Sequence, residues 1–254
     1  MKKTLLSIAG YDPSGGAGVL LDARVFESFG FHGAAVLTSL TAQNTAKVEK
    51  VLPLPASFIK LQMRTLDRDL RLAGIKIGML GGGAALEAVS GILGKKRRVP
   101  RVIDPVFRSS SGTPLLGKRD AGRFLRAFRG RASLITPNTD EASLLTGFLV
   151  RSTTDMEEAA RRIYDTAKIP CLVKGGHLPS KPIDVLFEGK RVVRFPHPRI
   201  AKDVRGTGCY LSSAILVQLA KGDGLEEACS EAIVLTARAI RRAGRAGRGR
   251  DVLG

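Results

Sequence analysis

Short apolar runs alternate along this chain with longer stretches whose apolar residues recur at helical spacing. The runs at 4–9, 34–38, 74–78, 101–104, 133–136 and 171–174 have strand length and carry few charges. Continuous apolar character marks strands covered on both faces. Between them the spacing predicts helices over 16–29, 56–70, 84–93, 118–128, 138–145 and 154–167. Two runs at 183–188 and 191–195, joined by Gly189 and Lys190, predict a hairpin. Helices over 207–220 and 224–242 close the pattern. Strand and helix in alternation imply an α/β fold, a mainly parallel central sheet with helices on both faces. In such sheets ligands sit beyond the carboxyl ends of the strands. Polar and glycine-rich clusters fall at five of those ends: 10–18, 39–45, 104–112, 138–141 and 174–177.

Length and charge refine this picture. The 254 residues suit one large α/β domain, read here as 1–242, with 243–254 as a basic tail expected to be mobile. No apolar run approaches the ~20 residues of a membrane span, and 4–9 is short for a secretory core. Three widely spaced cysteines form neither a metal pair nor a disulfide framework, which points to a reducing, cytoplasmic setting. Cys171 and Cys229 are expected in the core. A net charge of +18 invites a polyanion partner, yet Trp is absent and no RNA-binding aromatic motif occurs. Nonspecific polyanion contact by the tail is the minor alternative to a solvated basic surface, and Lys95 to Arg98 are expected in a surface loop.

Chemistry concentrates in the rim clusters. Gly206, Thr207, Gly208 and Cys209 form a glycine-rich turn directly before a helix, a ready anion site or simply a tight turn. The same field is expected to make the Cys209 thiol more acidic than a free one. The loop from Asp12 to Gly18 lacks the Walker lysine and the Rossmann spacing, so it is either a close approach to a small substrate or a turn. Gln43 offers donors and an acceptor that suit an aminopyrimidine edge, unless its loop is merely solvated. Asp104, Asn138 and Glu141 provide oxygen ligands of the kind Mg²⁺ takes, although Asn138 and Glu141 also suit a helix cap. Lys174 is placed to lie along a phosphate, and His177 is a weaker candidate base.

Six ordered segments then resemble a known family. These are Ile8 through Gly18 with Thr41 to Thr45; Lys76 to Leu80; Asp104 to Val106; Thr136 to Asn138 with Glu141; Lys174 to His177; and Gly206 to Cys209. They resemble the hydroxymethylpyrimidine/phosphomethylpyrimidine kinases of thiamine biosynthesis, members of the ribokinase-like superfamily. The resemblance implies a three-layer α/β/α kinase that uses ATP and Mg²⁺ to phosphorylate 4-amino-5-hydroxymethyl-2-methylpyrimidine, its monophosphate, or both. It places the pyrimidine near Gly10, Asp22, Gln43, Met79 and Val106. Lys174, Asn138 and Arg205 would bind ATP, Glu141 and Asp104 would lie near the metal, and Cys209 would be the base. Homodimers are usual in that family.

Departures accompany the matches. Ser110 stands where the family carries a loop lysine, and Arg205 where histidine is common. Arg108 or Arg205 is the expected substitute for that lysine. Two other functions stay open on sequence alone: a pyridoxal or pyridoxine kinase, and a noncatalytic pyrimidine-binding regulatory protein.

Overall fold

The computed structural model describes residues 2–94, 99–108, 112, 114–176, 178 and 182–253. Lys95 to Arg98, Ser110 and His177, singled out above, lie outside the described residues. The chain runs β1 (Thr4–Tyr11), α1 (Gly18–Ser28), β2 (His32–Gln43), β3 (Val48–Pro53), α2 (Ala56–Asp67), β4 (Leu72–Ile77) and α3 (Gly83–Ile92). It continues through β5 (Arg101–Ile103), α4 (Lys118–Ala127), β6 (Leu134–Ile135), α5 (Thr139–Thr146), α6 (Thr153–Ala167) and β7 (Cys171–Val173). Last come β8 (Ile183–Phe187), β9 (Val192–Pro196), β10 (Val204–Arg205), α7 (Thr207–Lys221), α8 (Leu225–Arg242) and β11 (Asp251–Val252).

Nine strands form one sheet in the order β3-β2-β1-β4-β5-β6-β7-β8-β9. The central pairs are parallel, while β3 at one edge and β8 and β9 at the other are antiparallel. Alternation along the inner strands feeds two cores. Leu6, Ile8, Ile103, Ile135 and Val173 face α2 to α6. Leu5, Val102, Leu134 and Leu172 face α7 and α8, together with Phe26 of α1. The α/β expectation therefore holds, with three layers. Cys171 and Cys229 are fully buried, as expected.

Part of the basic surplus is spent on helix ends. Arg129 donates to the Asp165 and Thr166 carbonyls at the end of α6, and Arg131 to the Ser90 and Leu93 carbonyls at the end of α3. Cations belong there, because the last carbonyls of a helix lack partners and carry its negative dipole end.

The tail is where the expectation fails. Rather than hanging free, 243–253 folds back: β11 pairs with β10, Gly244 and Val252 bond to each other, and Leu253 is fully buried against Leu21 and Val25. Backbone groups that find partners and an apolar side chain that leaves water account for the order. The tail is thus packed against the domain, with Arg245 and Arg248 still exposed on it.

Candidate active site

The strands deliver their polar residues to one rim. Asp104, directly after β5, donates its N–H to Ile77, and Thr136, directly after β6, donates to Ile103. Lys174 follows β7 and donates its N–H to the Pro137 carbonyl, beside Asn138. Each strand end thus fixes its neighbour's. Across the rim, Gly206 caps α7 in a left-handed conformation (φ 77°), and a Cβ there would fall 2.2 Å from the Gly16 carbonyl oxygen. Gly18 is similar: its φ is 61°, and a Cβ would fall 2.3 Å from the Gly10 carbonyl. Only glycine fits both positions.

This packing brings the phosphate-class residues together. Lys174 Nζ lies 2.8 Å from Asp104 Oδ1. A Cβ on Gly208 would meet Lys174 Nζ at 3.2 Å and Asp104 Oδ2 at 3.6 Å, so the first turn of α7 faces that ion pair. The N–H groups of Thr207, Gly208 and Cys209 have no partner within the helix and point the same way. Burial alone would lower the Lys174 ammonium, but Asp104 and Glu141 hold it above its ordinary value. Lys174 is therefore a permanent cation at the mouth of a helix N-terminus, a setting suited to phosphate.

Asn138 and Glu141 form a reciprocal capping box on α5, each side chain accepting the other's backbone N–H at 2.8 Å. That leaves one Glu141 oxygen uncommitted. Asp104 is fully engaged, by Lys174, by Thr136 at 3.4 Å and by Ser212 at 3.5 Å. Among the described residues no group of three or more acidic, His or Cys side chains could cage a metal. Mg²⁺ commonly takes one or two carboxylates, waters and substrate phosphates, and Glu141 fits that mode. Asp104 fits better as the counter-ion of Lys174 than as a ligand.

Glu141 also carries a pH signature. Desolvation pushes its carboxyl up to about 7; Lys174 opposes the rise and Asp104 adds to it. A carboxyl raised in the folded state stabilises the fold at low pH and loses that contribution as pH climbs through the raised value. Metal-free protein should therefore lose stability between its ordinary value of 4.5 and about 7. Glu141→Gln keeps the cap and should flatten the loss. Urea unfolding at about pH 5 and about pH 8 checks this; equal slopes for both proteins would contradict it.

The opposite side of the rim is less polar. A Cβ on Gly10 would meet Met79 Sδ at 2.9 Å and Ser39 Oγ at 3.0 Å, so Gly10, Met79 and Ser39 share one spot. Gln43 ends β2, half-buried, and Val106 is half-buried two residues beyond Asp104. Ser39 opens the 39–45 cluster but carried no role of its own in the sequence: its hydroxyl is buried and, among the described residues, has no hydrogen-bond partner. Two clefts of about 340 and 400 Å³ lie elsewhere, one between β9 and α8, the other walled by Arg126, Arg129, Gly130, Arg131 and Lys168.

The structure adds three constraints to the expected roles. Asp22 lies beneath the rim, close enough to Cys209 to raise its thiol. It is fully buried, bound by Lys76 Nζ at 2.7 and 2.8 Å, by Ser7 at 2.6 Å and by Ser213 at 2.9 Å. The Arg205 guanidinium is engaged by protein groups. It is buried, donates to Asp12 Oδ2 at 3.2 Å and to the Asn44 carbonyl, and so ties two loops together. Third, the Cys209 thiol is held above its ordinary value rather than below. Desolvation outweighs the buried Lys76 ammonium and the Gly18 N–H that favour thiolate, and Asp22 and Asp104 add to the rise. Arg108 is exposed beside its bridge to Pro114.

A three-layer sheet with a lysine, a carboxylate and a glycine-capped helix start at one rim defines a ribokinase-like small-molecule kinase. The match to solved kinases is close. A phosphomethylpyrimidine kinase from Clostridium difficile 630 is 32% identical with a TM-score of 0.81, covering 94% of this chain and 100% of that one. A pyridoxal kinase from Staphylococcus aureus, solved with pyridoxal, is 26% identical with a TM-score of 0.88, covering 100% and 93%. The same pyridoxal kinase has been solved with ADP and with AMP-PCP. In sequence, the hydroxymethylpyrimidine/phosphomethylpyrimidine kinase of Aquifex aeolicus is 40% identical over 98% of both chains. The profile of the phosphomethylpyrimidine kinase family matches residues 12–253, and this chain belongs to that family.

Proposed function

We propose that this kinase transfers the γ-phosphoryl group of ATP to the hydroxymethyl oxygen of 4-amino-5-hydroxymethyl-2-methylpyrimidine, to the phosphate of its monophosphate, or to both in turn. The observation that carries this reading is the meeting of Lys174, Asp104 and the Gly208 backbone at one rim of the sheet. Relatives named as hydroxymethylpyrimidine/phosphomethylpyrimidine kinases, and others named for thiamine biosynthesis, support it. The substrate oxygen attacks the γ-phosphorus, the bond to the β–γ bridging oxygen breaks, and ADP leaves. Such transfers depend on alignment and charge neutralisation more than on covalent help.

Roles follow from position. Lys174 and the N–H groups of Thr207, Gly208 and Cys209 hold the transferred phosphoryl oxygens. Asn138 keeps Glu141 in place, and Glu141 is the carboxylate that would hold Mg²⁺ with ATP; the ion would neutralise phosphate charge. Gln43 reads the amino and ring-nitrogen edge, with Gly10, Met79 and Val106 around the ring. The unpartnered Ser39 hydroxyl is a further group for a ring substituent. Ser39→Ala should raise KM for the pyrimidine roughly three- to tenfold with kcat nearly unchanged, the loss of one hydrogen bond. Equal KM values would remove Ser39 from the pocket. In the transfer to the hydroxymethyl group, Cys209 first gives its own proton to solvent and, as thiolate, receives the hydroxyl proton.

A second reading, pyridoxal kinase activity, has its own support in the whole-chain likeness to the Staphylococcus aureus enzyme. Initial rates with hydroxymethylpyrimidine and with pyridoxal at saturating Mg·ATP separate the two. The proposal expects kcat/KM to favour the pyrimidine at least tenfold, a gap of ~1.4 kcal/mol in transition-state binding. A reversed preference overturns it, and no ADP release with either substrate would favour a binding protein. We further propose a cytoplasmic homodimer. Leu52, Phe58 and Leu61, exposed on β3 and α2, offer apolar area for the second copy. Sedimentation velocity reporting a monomer would exclude the dimer.

A further inference from the structure

The Arg- and Gly-rich C-terminus touches the site from behind. Gly249 donates its N–H to Thr45 Oγ1 at 3.0 Å, and Arg250 donates to the Thr45 carbonyl at 3.2 Å. A Cβ on Gly249 would fall 2.3 Å from the Thr45 carbonyl carbon, so the two backbones meet with no room for a side chain. Three residues on, Val252 lies 3.1 Å from where a Gly16 Cβ would stand, and it pairs with Arg205 in the short β10–β11 ladder. Arg205 then reaches Asp12 and the Asn44 carbonyl. Further anchors are Arg250 to Asp203 at 3.0 Å and the fully buried Leu253.

Three segments that build the site converge on this one strip of chain: the Asp12–Gly18 loop, the tip of the β2–β3 hairpin just after Gln43, and the turn that opens α7. The hairpin tip pairs with β3 and closes its own turn through bonds between Asn44, Ala46 and Lys47; those three residues are exposed, and these contacts join the tip to the rest of the site. We propose that residues 244–253 are a positioning strap, holding the Gln43-bearing hairpin tip in fixed relation to the Gly206–Cys209 turn and thereby setting affinity for the ring substrate. The idea rests on the kinase reading for its substrate, but not for its geometry. The glycines of the tail give the close approach to Thr45, while Arg250 supplies an anchor.

Gly249→Val in the full chain is the direct test, with Thr45→Val as a gentler variant that deletes only the Oγ1 acceptor. Hydrogen exchange of amides 41–47 and 205–208 is read alongside steady-state kinetics. The strap predicts faster exchange in both segments for Gly249→Val, a KM for the pyrimidine raised roughly tenfold, and a KM for ATP within about twofold of wild type. Thr45→Val should move the same quantities in the same direction by roughly threefold. Were Gly249→Val to fail to fold, Thr45→Val would decide. Unchanged exchange in the hairpin tip, or equal rises in both KM values, overturns the strap. If wild-type protein shows no turnover with the pyrimidine, the substrate reading fails, and the exchange data still decide the strap.

Discussion

Replacing Cys209 by alanine is expected to lower kcat by roughly 10²–10⁴-fold, the usual contribution of a positioned proton acceptor, with little change in pyrimidine KM. The thiol lies in the first turn of α7, with the Gly18 N–H facing its sulfur and the Lys76 ammonium beneath. Those groups favour thiolate, but desolvation outweighs them and leaves the resting thiol protonated. A base of that kind works best as pH rises. The kcat profile should therefore climb on the alkaline side, and Cys209→Asp, a carboxylate in the same place, should flatten the climb. Wild-type-like turnover in Cys209→Ala would remove the thiol from the mechanism and leave alignment by Lys174 and the α7 backbone as the whole of catalysis.

Lys76→Met is expected to destabilise the fold by about 3–5 kcal/mol, the cost of leaving one charge of a buried pair alone. Lys76 and Asp22 are both fully buried, and Asp22 ties β4 to α7 through Ser213 and to β1 through Ser7. Burial acts against the Lys76 ammonium, yet Asp22, Cys209 and Asp104 keep it charged. The double change Lys76→Met with Asp22→Asn removes both charges and leaves an acceptor for the two serines, so it should recover most of the loss. The pH at which Cys209 is alkylated should move little in the double variant, because the lost Lys76 cation favours thiolate and the lost Asp22 anion opposes it. Cys171 and Cys229 are buried and held far above their ordinary values, so alkylation of folded protein reports Cys209. Urea midpoints of the single and double variants check the first claim. A single variant within about 1 kcal/mol of wild type would contradict it.

What the sequence revealed, and what it hid, follows from the range of the interactions. The strands covered on both faces were legible because their centres, Leu5, Leu6, Ile8 and Ala9 in one and Val102 and Ile103 in another, are apolar with no alternation, and their order placed Asp104, Glu141, Lys174 and Gly206 on one rim. The asparagine and glutamate of the α5 cap were legible for the same local reason. The outer half of β2 and all of β3 were not, since both carry exposed positions along their length and lack a buried face. The roles of Asp22 and Arg205 depend on partners 54 and 193 residues away, which no local pattern announces. The tail misled most, because glycine and arginine read as disorder when their use is close backbone approach and ion pairing at long range. The thiol was misjudged because a helix N-terminus was weighed without the desolvation that comes with it.

The rim is proposed to move phosphoryl groups onto a hydroxymethylpyrimidine. Incubation of the protein with that pyrimidine and Mg·ATP, followed by mass analysis of the small-molecule products, tests it most directly. The expected product is a pyrimidine carrying one added phosphoryl group or two, formed together with ADP and at least roughly 10²-fold more slowly in Cys209→Ala. An unmodified pyrimidine, under conditions in which pyridoxal becomes phosphorylated or no ADP is released, would contradict it.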